Sequence, residues 1–150
     1  LAGNYTFHYK TAPVPAAPLA DEVNNFGYPA QFTGRIELGV DVGGFSGTAF
    51  INHVNGRNMT RAFLPAGVSD EYLKIDAYTT VDLTLRYNFE DTGSMFTDGL
   101  GFGVSVLNLF DKDPPLVVNA GASAPSIRYD PSYSGAVGRF IAFEISKSFR

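Results

Sequence analysis

GRFIAFEISKSFR, residues 138–150, is the stretch from which the rest of the chain is read. Side chains alternate across a strand, so Arg139, Ile141, Phe143, Ile145, Lys147 and Phe149 share one face. Phe140, Ala142, Glu144, Ser146 and Ser148 share the other. The first face is an apolar band with a cation at each end and an aromatic at its terminus. The second is mostly small and polar, with a carboxylate at its middle. The eight residues from Arg139 to Lys147, at roughly 3.3 Å per residue and a tilt of about 40°, span on the order of 20 Å. That depth is close to the apolar band of a transmembrane barrel, where long cations snorkel toward headgroups and aromatics form a girdle. The stretch therefore predicts one strand of a membrane β-barrel wall.

Composition leaves room for this. Charged residues make up 17% of the 150, below the usual quarter, while aromatics reach 14% without a tryptophan. Eleven basic residues face fifteen acidic ones, so no basic patch is available to neutralise nucleic-acid phosphates. Cysteine is absent, which removes disulfides and thiolate metal sites. No run of eighteen apolar residues exists, and a transmembrane helix is not expected; a spanning strand needs only about 9–11 alternating residues. The chain opens on Leu1 without a signal-peptide pattern, so an exported protein reads as a processed product or a fragment.

Period two recurs along the chain, and helical periodicity does not. Residues 4–10 set Tyr5, Phe7 and Tyr9 against Asn4, Thr6, His8 and Lys10. Proline-rich residues 11–29 read as a long loop. From Phe32, the set Phe32, Ile36, Leu38, Val40 and Val42 opposes Thr33, Arg35, Glu37 and Asp41. Gly43-Gly44 signals a tight hairpin into a strand over 45–55. A second long loop covers 56–74. In the next strand Ala77, Thr79, Val81, Leu83, Leu85, Tyr87 and Phe89 oppose Tyr78, Thr80, Asp82, Thr84, Arg86 and Asn88. After a medium turn over 90–98, Leu100, Phe102, Val104 and Val106 oppose Gly101, Gly103 and Ser105. Residues 111–136 form the longest loop before the final strand. Six strands joined long, short, long, medium, long match outer-membrane barrels, with short turns at one end and long loops at the other. The fold expected is all-β and antiparallel, a transmembrane barrel segment of about six long strands.

VSVLNLFDKDPP (104–115), YDP (129–131) and GRFIAFEISKSF (138–149) resemble the C-terminal end of a TonB-dependent outer-membrane receptor. TTVDLTLRYNF (79–89) resembles the strand before the NLFD strand of that family. The resemblance implies that residues 1–150 are the C-terminal part of a 22-stranded barrel whose plug domain is absent from this chain. It implies TonB-energised uptake of a scarce nutrient (a ferric siderophore, haem, cobalamin or glycan) across the outer membrane of a Gram-negative bacterium. The implied partners are outer-membrane lipid, the missing plug and remaining barrel, the TonB complex through the absent N-terminal region, and the outer-membrane assembly machinery. Asn108, Leu109, Phe110 and Asp111 carry the family motif in a structural role. Phe149 matches the terminal aromatic of the assembly signal, although Arg150 follows it where the family usually stops.

Candidate chemistry is sparse. Asp111, Asp113 and Asp130 are oxygen ligands without ligand-loop spacing, and read as a solvated rim. His8 and His53 lack metal-site spacing, and no nucleophile elbow exists. Gly99, Gly101 and Gly103 superficially look like a phosphate loop, but their two-residue spacing puts them on one strand face with no helix following. Asn108 breaks the apolar register of its strand, as a bulge or capping contact would. Asp82, Arg86, Arg35, Glu37, Asp41 and Glu144 would face a water-filled lumen. Phe26, Tyr28, Phe63, Tyr72, Tyr129 and Tyr133, on long loops, are the ligand-contact candidates. Neither catalysis nor a cofactor is expected. The alternatives are a small complete outer-membrane barrel, which would need eight strands, and a secreted carbohydrate-binding β-sandwich, whose strands would be shorter.

Overall fold

A computed structural model describes residues 1–61, 64, 66–89, 96–118 and 128–148. In chain order the strands are β1 (Ala2–Tyr5), β2 (Lys10–Thr11), β3 (Ala20–Asp21), β4 (Phe32–Val42), β5 (Phe45–Val54), β6 (Arg57–Asn58), β7 (Lys74–Ile75), β8 (Tyr78–Asn88), β9 (Leu100–Leu107) and β10 (Phe140–Lys147). One antiparallel sheet carries six of them in the order β1-β4-β5-β8-β9-β10. The β2–β3 and β6–β7 pairs form two short ribbons. The six-stranded sheet is open, ending on β1 and β10. The all-β, antiparallel expectation therefore holds, while closure into a barrel is not part of what is described.

Three sequence boundaries move. The strand expected over 4–10 is instead β1, which leaves the sheet after Tyr5, with Phe7 and Tyr9 outside any strand. The cause is local. Asp21 draws this segment away by accepting from the Tyr9 and Val23 amides, and Lys10 and Thr11 pair with Asp21 and Ala20. The supposed loops 11–29 and 56–74 hold β3, β6, β7 and a turn of 3-10 helix over Asp70–Leu73. Ser69 caps that turn by accepting from the Glu71 amide. The terminal strand is shorter than the 138–150 stretch, because Gly138 and Arg139 lie in a corner tied to Asp111.

The chain divides into two compact units. The first comprises Leu1–Arg35, His53–Thr79 and Asp113–Ala136, and holds β1, both ribbons and most of the loop residues. Its core is Met59, Leu64, Ile75 and Val117, all buried, with Phe26, Val68, Tyr72, Leu73 and Val118 packed around them. The second comprises Ile36–Asn52, Thr80–Lys112 and Val137–Arg150, and is almost all sheet. Among its described residues no large apolar side chain is buried. The β4–β5 hairpin in this unit turns on Gly43, whose φ of 56° suits glycine, and on Gly44. A Cβ on Gly44 would lie 2.1 Å from the Asn88 carbonyl oxygen, and the Asn88 amide donates to Gly44 O at 2.7 Å. Glycine is required there so that β8 can close on the hairpin.

Candidate functional site

The second unit presents two chemically different sheet faces. Register makes this explicit across three strands: Phe143 stands beside Val104 and Val104 beside Leu85, Ile145 beside Phe102 and Phe102 beside Tyr87, Ile141 beside Val106 and Val106 beside Leu83. A two-residue hairpin loop sets Val42 opposite Phe45, so Ile36, Leu38, Val40 and Val42 join the same face through β5. The band is largely uncovered, with Phe143 at 81%, Ile145 at 72% and Val42 at 67% exposure. A monomeric protein in water seldom leaves so many adjacent large apolar side chains open. Each such side chain forgoes about 1.5–3 kcal/mol of burial free energy unless something apolar covers it. Where β8 and β9 meet the short turns, Tyr87, Phe89 and Phe102 stack edge-to-face, with centroids 5.0 and 6.0 Å apart.

The opposite face is polar and built around small residues on β9. Arg86 and Glu144 flank Gly103 in the register, and their side chains meet at 2.6 Å across it. A Cβ on Gly103 would sit 3.3 Å from Glu144 Cβ. One on Gly101 would meet Asn88 Oδ1 and Ser146 Oγ at 2.6 and 2.7 Å. Gly101 and Gly103 thus form a trench over which β8 and β10 side chains close, whereas Gly99, read from sequence as part of the same strand face, lies in the turn before β9. Thr84 and Ser105 hydroxyls lie 3.3 Å apart on the same face. Asp82 accepts from Asn52 Nδ2 and from the Asn108 amide, both at 2.9 Å.

The NLFD motif forms the corner that ends β9. Asn108 is buried at φ 51° and Asp111 stands at φ 54°, both in the left-handed region that asparagine and aspartate tolerate best after glycine. Asn108 Nδ2 donates to Lys112 O at 3.0 Å, while its Oδ1 accepts from Lys112 N at 2.9 Å. Its side chain thereby imitates a strand partner for Lys112. The Leu109 amide donates to Val81 O at 2.7 Å, and Asp111 Oδ1 accepts from Arg139 N at 2.7 Å. Phe110 projects outward at 74% exposure. Asn108, Leu109 and Asp111 therefore lock β8, β9 and the approach to β10 together. Phe149 and Arg150 lie outside the described residues, as does Phe63.

The remaining loop aromatics belong to the first unit. Phe26 and Tyr72 pack against its core. Tyr28 stacks on Tyr9 with centroids 5.8 Å apart, and Tyr129 is half-buried. Tyr133 lies under the Arg57 guanidinium, 4.4 Å from the ring centroid, and its hydroxyl accepts from the Ala30 amide at 2.9 Å. Arg57 and Asp130 are buried together and joined at 2.5 Å. Asp130 also accepts from the Ser132 amide and the Ser134 hydroxyl. Sequence reasoning placed Asp130 on a solvated rim and passed over Arg57, because a lone arginine in a loop carries no periodic signal. It also passed over Asn24 and Asn55. Asn24, at φ 67°, bonds Gly56 O, Gln31 N and Asn55 Nδ2, and Asn55 Oδ1 accepts from Phe32 N.

His8 lies 2.5 Å from Asp21 on an exposed ribbon, and His53 lies 2.8 Å from Thr79 Oγ1. The hydrogen bond from His8, reinforced by the Tyr9 amide, lowers the Asp21 pKa to about 2. Among the described residues no group of three or more histidine or carboxylate side chains converges as a metal site. Asp111 and Asp130 are each engaged in the bonds given above. No known family profile, curated protein or solved structure matches the chain.

Proposed function

We propose that this chain builds part of the barrel wall, and the loops of one rim, of a TonB-dependent outer-membrane receptor for a scarce nutrient. The observation that carries the reading is the uncovered apolar face running from β4 to β10, set back to back with a polar, ion-paired face. Lipid satisfies the first face and water the second, the division expected of a barrel strand. Strand length supports it: β4 and β8 have eleven residues and β5 ten, about twice the usual soluble strand. The open edges at β1 and β10 carry unpaired backbone groups, so in lipid they call for further strands. The NLFD corner and the terminal aromatic strand are the residues that resemble this family. Nutrient binding falls to the loop side; transport and binding, not catalysis, is the activity proposed.

The absence of cysteine gives a clean test. Single substitutions Val104→Cys, Phe143→Cys and Ile145→Cys on one face, and Thr84→Cys, Ser105→Cys and Ser146→Cys on the other, are labelled with a fluorophore in native outer membranes. A nitroxide dissolved in the lipid is expected to quench the first three and spare the second three. Equal quenching on both faces, or none on either, contradicts the proposal.

A further inference from the structure

The first unit joins three stretches of chain that are distant in sequence through one buried cluster. Arg57 sits in β6, Asp130 and Tyr133 in the 128–136 segment, and Ala30 at the end of the loop before β4. Arg57 and Asp130 side chains are 4% and 6% exposed, and the Arg57 guanidinium bonds the Asp130 carboxylate and lies over the Tyr133 ring. Tyr133 in turn holds the Ala30 amide. Apolar packing follows the same partition. Met59 and Leu64 come from the second stretch, Ile75 from β7, Val117 from the third, and Phe26 leans on them from the first. The Asn24–Asn55–Gly56 bonds tie the first and second stretches again, independently of Tyr133.

We propose that residues 22–31, 55–59 and 128–136 are one cooperative body, latched by Arg57, Asp130 and Tyr133, which opens as a whole and not segment by segment. Buried charge makes the latch sharp. Removing either partner of a desolvated pair leaves the other uncompensated, so no partially open state keeps one bond while losing the other cheaply. A ligand approaching this unit meets a preformed surface, and anything that opens one segment opens all three. The inference does not depend on the sheet lying in lipid, since it concerns only contacts inside the first unit.

Hydrogen exchange on the whole protein tests it. In Asp130→Ala, protection is expected to fall on the order of 100-fold in step across 22–31, 55–59 and 128–136, with β9 and β10 unchanged. Loss confined to 128–136 overturns the proposal. Tyr133→Phe keeps the ring under Arg57 and removes only the bond to Ala30, so it decides the matter if Asp130→Ala fails to fold. A several-fold loss at 22–31 accompanied by the same loss at 55–59 supports one body; loss at 22–31 alone overturns it.

Discussion

Asn108 shows how one side chain sets a corner. Its positive φ is costly for most residues, and its amide group replaces two backbone partners of Lys112. Asn108→Ala loses two hydrogen bonds of about 1 kcal/mol each and strains the backbone by about 1 kcal/mol more. The expected cost is about 3 kcal/mol, against about 2 kcal/mol for Asn108→Gly, which relieves the strain and not the bonds. Urea unfolding followed by tyrosine fluorescence measures both; equal costs would mean that the left-handed backbone contributes nothing. That Asn108 breaks an alternating pattern was legible in the sequence, because a polar residue takes the next position in the register of Leu100, Phe102, Val104 and Val106. That Arg57 and Asp130 form a buried pair was not. Seventy-three residues separate them, and no local pattern encodes a contact made by loop packing.

At the scale of elements, the long strands were readable to within a residue or two wherever one face had to be apolar throughout, as in β4 and β8. Register follows, since a one-residue slip would move every apolar side chain to the polar face. Short ribbons lie beyond such reading. β2 and β3 have two residues each, and the Asp21 side chain reinforces their ladder by accepting from the neighbouring Tyr9 amide. Asp21 is the anchor, and its lowered pKa fixes the sign of the acid response. The folded value of about 2 lies below the ordinary 3.8, so Asp21 contributes stability that is complete above about pH 4 and is lost as pH falls through about 2. Carboxyl NMR titration is expected to give a midpoint near 2, rising toward 3.8 in His8→Ala. A midpoint of 3.8 in the unaltered chain would dissolve the tether.

For the whole molecule, the two units solve different physical problems. The first has a core of its own and buries the Arg57–Asp130 ion pair. The second buries no large apolar side chain among its described residues and offers an apolar face that water does not satisfy. Under the receptor proposal a membrane wall resolves the second unit's deficit, and further strands resolve the open edges of the sheet at β1 and β10. On that proposal the wall is of the kind that the NLFD corner and terminal strand resemble, and the nutrient is whatever the loops and the rest of such a receptor accept. The most direct measurement is the size and location of the native polypeptide that carries this sequence, detected with an antibody to the 111–118 segment in fractionated cells. A barrel wall of 22 strands with its plug predicts a band several times heavier than 16.2 kDa, found in the outer-membrane fraction. A band of about that smaller mass in the soluble fraction would contradict the receptor reading outright.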